Sequence, residues 1–275
     1  MAGVLKTLRK SPPTAKFGML VIAVYAVIAI FAPFIAPYGE REVVGAQYLP
    51  WGGEFVLGTD NLGRDMLTRV IFGARNTVGI ALLTTILTFV IGTVLGFVAA
   101  TVGSVVDQLL SRLNDTLMAI PTLIFALMLL TVFGTSIPIL ILVIAALEQT
   151  RVFRLARAVA ANIVVMDFVE VARLRGEGLW WVMRHEVLPN ALSPLAAEFG
   201  LRFCFVFLFI SALSFLGLGI QPPTADWGSM VRENATLISF GIPTPLIPAG
   251  AIALLTVGVN FVVDWFLYAT SGLKE

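Results

Sequence analysis

Residues Glu170 to Asn190 read EVARLRGEGLWWVMRHEVLPN, a polar stretch of about twenty residues inside a chain that is otherwise strongly apolar. Its first residues favour a helix, and Gly176 then offers the chain a corner. A second, amphipathic run covers 179–187, and we expect the pair Leu188-Pro189 to stop it. The pattern predicts a helix, a turn and a second helix, exposed to water between membrane spans.

The composition around this stretch is that of a membrane protein. The chain has 275 residues, of which 58% are hydrophobic and 13% charged, whereas soluble domains carry about 25% charged residues. The net charge of +1 gives no basic field for nucleic acid. One cysteine, Cys204, and one histidine, His185, exclude an internal disulfide and a Cys- or His-rich metal site. We therefore expect no metal ligands.

Apolar windows long enough to cross a bilayer set the predicted topology, because a spanning helix needs about 20 residues. The charge-free windows are 17–39, 76–106, 116–147, 203–225 and 234–263. The third is too long for one helix, and its middle, Gly134 to Pro138, is typical of a turn, so we divide it into spans at 114–133 and 138–157. Six spans keep the arginine-rich segment 149–193 on the same side as the basic N-terminal leader, as the positive-inside rule requires. A five-span chain would place those arginines outside.

The prediction is thus an all-α, polytopic membrane protein with both termini in the cytoplasm. Its parts are a leader (1–16), a first span (17–36), a periplasmic segment (37–76), a core of five helices (77–268) that includes the cytoplasmic loop 150–193, and a tail (269–275).

The periplasmic segment contains a second dense polar motif, LGTDNLGRDMLTRVIFGAR, at 57–75. Asp60 and Asn61 are predicted to cap a helix there. The residues that define this motif are Gly58, Asp60, Gly63, Arg64 and Asp65. Two interpretations stay open, a structural turn on the membrane surface and a surface that faces substrate or a binding protein.

Charged and small residues near the spans predict particular contacts. Gly92 and Gly96 form a small-xxx-small pair, which favours close helix packing over a dedicated dimer interface. Glu198 and Arg202 are four residues apart and are expected to pair along one helix. Glu148 is expected to face water or a partner helix rather than lipid.

The chain lacks three signatures of catalysis: the phosphate loop Gly-x-x-x-x-Gly-Lys-Ser/Thr, the zinc helix His-Glu-x-x-His and the nucleophile elbow Gly-x-Ser-x-Gly. We therefore expect no catalytic residues, no cofactor bound by this chain, and a passive subunit that another protein moves.

Four blocks carry a resemblance to a known family: FAPFIAPY (31–38), the motif 57–75, the stretch 170–190, and SALSFLGLGIQPPTADWGSM (211–230). The stretch 170–190 resembles the EAA loop of ABC importer permeases, and the four blocks together resemble the C-type permease of the dipeptide/oligopeptide/nickel ABC importer family. The positions that match the loop motif are Glu170, Ala172, Gly176, Leu188 and Pro189, whereas Val171 stands where a small residue is usual. The tail differs from the family pattern after Asn260 and Asp264.

The resemblance implies a type I permease fold in a bacterial or archaeal plasma membrane. It implies a second, homologous permease, two ATP-binding subunits that carry ATP and Mg²⁺, and a periplasmic or lipid-anchored solute-binding protein. The matched loop residues would couple the chain to the ATPases. Peptide, nickel, an opine or a sugar-like solute all remain open as substrate, and no substrate-binding residue is identified. A secondary transporter and a membrane enzyme fit less well, because the middles of the windows lack ionisable groups.

Overall fold

The computed structural model describes residues 11–270, so the first ten residues of the predicted leader and most of the predicted tail (271–275) lie outside it. Within that range the chain forms helices and no β-strand, with two isolated β-bridges near residues 43 and 65. The helices are α1 (Pro13–Ile35), α2 (Met66–Val102), α3 (Ser104–Met118), α4 (Thr122–Phe133), α5 (Ile137–Ile163), α6 (Asp167–Leu174), α7 (Leu179–Phe215), α8 (Trp227–Asn234) and α9 (Leu246–Thr270). Single π-helical turns lie within α2 (Ala74–Val78) and α7 (Met183–Val187).

Helices α2 and α5 run parallel and pack closely through the glycines that the sequence marks. A Cβ atom added to Gly92 would lie 2.7 Å from the Val152 side chain, and one added to Gly96 would lie 2.8 Å from the Ala156 Cβ atom. The contact thus advances in the same direction along both helices. The prediction of packing within one chain is confirmed, since both glycines are buried against α5.

Two antiparallel pairs complete the frame. The Phe17 ring of α1 contacts the Phe261 ring of α9, while farther along α1 the Tyr25 hydroxyl donates to the Ala251 carbonyl at 3.0 Å. The Cys204 thiol of α7 lies 3.9 Å from the Thr256 carbonyl of α9. Together with the parallel pair of α2 and α5, these contacts show which connecting segments lie at the same end of the helices. We call the end that holds residues 103–121 and 157–187 the hairpin side, and the end that holds 36–65 and 216–245 the loop side.

Four helices, α1, α2, α7 and α9, are long and apolar enough to cross a membrane. Helices α3 and α4 form a fifth crossing if the pair counts as one span bent by 87°. Helix α5 has 27 residues, yet Glu148 and the arginines that follow interrupt its apolar sequence. The count of six spans and the cytoplasmic position of the termini therefore stay predictions, as do the segment boundaries.

The helix predicted at 114–133 is wrong in one respect, because the chain breaks at residues 119–121. Pro121 has no N–H to donate and it disfavours helical geometry at Ile120, so α3 ends and α4 begins in a new direction. The helix predicted at 77–100 begins earlier, at Met66, so the end of the predicted segment 37–76 is helical.

Candidate functional site

The corner of the motif at 170–190 lies at Gly176, in the left-handed region with φ of +83°. The Gly176 N–H donates to the Arg173 carbonyl at 2.9 Å, and the Glu177 N–H donates to the Ala172 carbonyl at 3.2 Å. This pair of bonds is the Schellman motif that ends helices at a glycine. A Cβ atom at Gly176 would meet nothing within 4 Å, so the constraint on this residue comes from its backbone conformation and not from crowding.

Helix α6 and the start of α7 form a hairpin, residues 164–188, with one face buried and one exposed. Ala172 is 2% exposed and packs in a cluster with Val169, Val182 and Val187 of the hairpin and Ala160 of α5. Because that cluster holds both arms of the hairpin against the end of α5, a displacement of the hairpin moves α5 and α7 with it.

The outer face of the hairpin is apolar, which is unusual for a surface loop. Leu174 is 81% exposed and Trp180 is 63% exposed, and other large apolar side chains accompany them: Val165, Met166, Phe168, Val171 and Leu179. Glu170 is also exposed, beside Val171. We call these exposed residues the docking face.

Three cations tie the hairpin side together. The Arg173 guanidinium donates to the Thr101 carbonyl at the end of α2 at 3.2 Å. Arg157 of α5 forms an ion pair with Asp107 of α3, with one nitrogen–oxygen distance of 2.6 Å. Arg175 lies over the ring of Trp181, 5.9 Å from its centroid. Of these three contacts, the one made by Arg173 joins the hairpin to the end of α2.

The predicted stop at Leu188-Pro189 is wrong, because α7 continues through both residues to Phe215. Pro189 cannot donate to the carbonyl four residues before it, and the π-helical turn Met183–Val187 lies immediately ahead of this gap. Leu188 is partly buried and Pro189 is exposed on one face of the continuing helix. Of the five matched loop positions, the structure thus places Glu170, Ala172 and Gly176 in the hairpin and these two within the body of α7.

On the loop side, the second motif folds around the buried carboxylate of Asp60. It accepts the N–H groups of Leu62 (2.9 Å) and Arg64 (3.0 Å), and its other oxygen lies 2.7 Å from the Arg64 Nε atom. Gly58 and Gly63 both have positive φ, of +70° and +74°, which is why glycine is needed at these turns.

The helix cap in this motif is Asp65 rather than the predicted Asp60 and Asn61. The Asp65 carboxylate accepts the Thr68 N–H at 2.7 Å at the start of α2. Asp60 lies five residues before Asp65, and its carboxylate accepts the N–H groups of Leu62 and Arg64 instead of those of the helix.

The same motif is joined to a distant part of the chain. The Arg64 guanidinium lies 3.3 Å from the Glu233 carboxylate of α8, and Arg69, which is fully buried, donates to the Pro223 carbonyl at 3.1 Å. Glu233 and Pro223 belong to the segment that follows α7. The burial of Asp60, Arg64 and Asp65 and their contacts within the chain favour the structural interpretation of Gly58, Asp60, Gly63, Arg64 and Asp65 over a substrate-facing one.

A buried acid, Asp226, fastens the segment after α7 to α2. Its carboxylate accepts the Thr77 hydroxyl at 2.9 Å and the Ser229 N–H at 2.8 Å, and so caps α8. Burial raises the pKa of this carboxyl group above its ordinary value, against the opposing effect of these donors. The next residue, Trp227, is 1% exposed, and its indole N–H donates to the Val70 carbonyl at 3.0 Å.

The structure also reveals a polar group that sequence reasoning found only in part. Arg202 of α7 pairs with Glu198 in its own helix, as predicted, and its other nitrogen lies 2.8 Å from the Glu148 carboxylate of α5. Arg202 and Glu148 are each 6% exposed in their side chains. Glu148 lies eleven residues after the start of α5, directly after the charge-free window 116–147, and Arg202 lies directly before the window 203–225.

No metal centre forms in the part of the chain that the structure describes. No group of three or more His, Cys, Asp or Glu side chains in residues 11–270 is arranged to hold a metal ion. Cys204, the lone cysteine, is buried among apolar side chains.

Comparisons with known proteins agree with this architecture. Residues 92–271 match the family described as binding-protein-dependent transport system inner membrane component, and residues 2–50 match the N-terminal TM domain of oligopeptide transport permease C. The di/tripeptide transport system permease protein of Pseudomonas aeruginosa is 33% identical over 254 residues, which cover 90% of this chain and 84% of that protein. The dipeptide transport system permease protein of Escherichia coli K12 is 35% identical over 257 residues, which cover 91% and 86%.

A solved structure shares the fold at lower sequence identity. The crystal structure of an amino acid ABC transporter with histidines has a TM-score of 0.54 and 17% identity, and it covers 74% of this chain and 94% of the solved chain. This likeness concerns the arrangement of the helices alone.

Proposed function

Because the chain belongs to the family of binding-protein-dependent transport system inner membrane components, we propose that it is one permease of an ABC importer for di- or oligopeptides. It forms half of the translocation pathway together with a second, homologous permease. The printed names of the relatives support peptide as the substrate class.

The observation that carries the proposal is the docking face on the hairpin. A capped corner at Gly176 holds the exposed Leu174 and Trp180 on a short, well-anchored element, and apolar side chains at such exposure favour a protein partner. We assign that partner as an ATP-binding subunit. The hairpin side is then cytoplasmic, both termini are cytoplasmic, and six spans follow, with α3 and α4 as one bent span and α5 as the next.

The path of the motion follows from the continuity of α7. This helix has 37 residues and runs unbroken from the hairpin to the loop side, about 55 Å at 1.5 Å per residue. A displacement of the hairpin therefore tilts α7, which reaches the opposite membrane face. The ion pair between Arg202 of α7 and Glu148 of α5 joins the two helices near the middle of α7, so they move together.

The remaining parts belong to partners. Two ATP-binding subunits supply ATP and Mg²⁺, and a periplasmic or lipid-anchored solute-binding protein delivers the substrate to the loop side. This chain binds no cofactor and catalyses no reaction. It contacts membrane lipid and no nucleic acid. A transporter of this kind requires that each ligand bind one of its two conformations more tightly, because a ligand with equal affinity for both does not shift the equilibrium between them.

The test places a charge on the docking face and a matched charge elsewhere. Leu174→Asp adds a carboxylate to the hairpin, and Val56→Asp adds one to an equally apolar, exposed position (66%) on the loop side. In cells that depend on the assembled importer, we expect Leu174→Asp to abolish dipeptide uptake and the co-purification of the ATP-binding subunits. Val56→Asp should retain co-purification.

The result that would overturn the coupling assignment is wild-type uptake and normal ATPase recovery with Leu174→Asp. Uptake of nickel or another solute, with no uptake of peptide by the wild-type importer, would overturn the substrate class and leave the coupling intact.

A further inference from the structure

An apolar cavity of about 240 Å³ lies where α2 and α7 meet near the hairpin side. One wall belongs to α2 and the other to the start of α7, and exposed Arg184 completes the lining. The apolar lining residues are Val94 and Phe97 on α2, and Trp180, Met183 and Leu188 on α7.

The depth of the cavity matches the boundary between lipid headgroups and acyl chains. Phe97 lies five residues before the end of α2, roughly 8 Å from that end at 1.5 Å per residue. Trp180 and Arg184 lie one helical turn apart beside it. Tryptophan and arginine are the residues that favour this boundary, since each combines an apolar body with a polar end.

A stripe of exposed aliphatic residues on α2 leads into the cavity. Leu82, Ile86, Val90 and Val94 recur every fourth residue, and all four are exposed. The stripe is about 18 Å long, slightly more than half of a bilayer core of about 30 Å. A single acyl chain of the hairpin-side leaflet can therefore start at the cavity and follow the stripe toward the middle of the bilayer.

The residue types on this stripe favour lipid over another helix. Two of the close helix contacts within this chain use glycine: Gly92 and Gly96 against α5, and Gly18 against Gly258 of α9. Small residues are typical of helix contacts in membranes, because they allow the backbones to approach. The stripe carries only leucine, isoleucine and valine.

The charge at the cavity is uncompensated. Over the described range 11–270, no carboxylate pairs with Arg184, whereas the nearby Arg157 and Arg175 each have an acidic partner. An unpaired guanidinium at headgroup level fits a phosphate, which it can bind through two N–H groups.

We propose that this cavity binds a phospholipid with a net negative headgroup, with one acyl chain along the α2 stripe and the phosphate on Arg184. The site lies beside the hairpin, so an occupying lipid contacts Trp180 and Met183 within the element that we assign to ATPase coupling. The inference rests on the cavity, the stripe and the unpaired cation, and it does not depend on which solute is imported.

The test uses the assembled importer in nanodiscs that contain phosphatidylglycerol with a photoreactive group near the glycerol end of one acyl chain. We expect the label on α2 peptides that contain residues 93–97 and on α7 peptides that contain 183–188. Arg184→Gln should reduce this labelling about fivefold, since one basic residue near a membrane surface contributes roughly 1 kcal/mol. Arg112→Gln, which removes another exposed arginine of the hairpin side, should leave it unchanged.

Two further measurements separate the alternatives. Val94→Trp fills the cavity and should abolish the label at both peptides. For photoreactive phosphatidylcholine, whose choline cation offsets the phosphate, Arg184→Gln should reduce the labelling less than it does for phosphatidylglycerol. Label spread evenly along the exposed helices, or equal labelling of Arg184→Gln and Arg112→Gln, would overturn the site. If the photoreactive lipid labels the cavity in the separated chain but not in the assembled importer, a second permease covers the cavity, and the lipid assignment is overturned.

Discussion

Replacing Gly96 by valine should force α2 and α5 apart. A Cβ atom at this position would lie 2.8 Å from each of three atoms on α5: the Phe153 carbonyl oxygen, the Arg157 nitrogen and the Ala156 Cβ atom. Two of these belong to the backbone, so no side-chain rotation relieves the contact. The helices must separate by about 0.6 Å to restore an ordinary contact of 3.4 Å.

The cost of this change follows from measured overpacking in protein cores, which lies at roughly 1–3 kcal/mol for added methyl groups. Valine adds two methyl groups beyond the Cβ atom, so we expect the upper part of that range. For a chain of this size, such a loss lowers the melting temperature by roughly 2–10 °C.

The matched control is Gly79→Val in the same helix, where an added Cβ atom meets nothing within 4 Å. Both variants place a β-branched residue in α2, so the difference between them isolates the contact with α5. Thermal unfolding of the purified chain in detergent, followed by tryptophan fluorescence, measures the effect. Equal melting temperatures for the two variants would refute the parallel, glycine-mediated packing of α2 on α5.

Three further predictions concern the corner, the intramembrane ion pairs and the buried acid. Gly176→Ala should lower the stability by about 1 kcal/mol because alanine disfavours positive φ, and hydrogen exchange should show lost protection of the Glu177 amide. The control Gly178→Ala changes a residue with φ of −74° and equally open space, and it should leave that protection unchanged. Arg202→Met should destabilise the chain by about 3–5 kcal/mol, because it leaves two carboxylates without their cation, and a melting temperature equal to wild type would contradict the pairing. Burial raises the pKa of Asp226 in the folded chain, so the contribution of this group to stability is greatest below the ordinary carboxyl pKa of about 4 and falls as pH rises through the folded-state pKa. Asp226→Asn keeps a capping side chain and should flatten this pH dependence in melting curves. An unchanged pH dependence would contradict the assignment.

Two prolines show where sequence reasoning ends. Pro121 and Pro189 both follow an apolar residue, yet the chain breaks at the first and continues through the second. Residues 119–121 are all exposed, so no packing opposes the break. At Pro189 the flanking Val187 and Ala191 are fully buried, and a π-helical turn accommodates the missing hydrogen bond. Tertiary packing therefore decides the outcome, and it is absent from the local pattern.

Features that depend on local geometry were predictable. The corner at Gly176 requires a residue that tolerates positive φ, and a glycine at the end of a short helical run predicts such a corner. The apolar windows and the Glu198–Arg202 pair follow from spacing alone. The pairing of Arg64 with Glu233 and of Arg202 with Glu148 was not predictable, because the partners lie far apart in the sequence and no local sequence pattern connects them.

The most direct test of the coupling role uses Leu174→Cys at the tip of the hairpin. The chain has one native cysteine, Cys204, which is buried, so a reagent that cannot cross membranes reports on the new thiol. In the assembled importer we predict that this thiol is labelled only from the cytoplasmic side, and that a short bifunctional cross-linker joins it to an ATP-binding subunit. Labelling from outside intact cells, or cross-linking of Val56→Cys but not of Leu174→Cys to that subunit, would contradict the account.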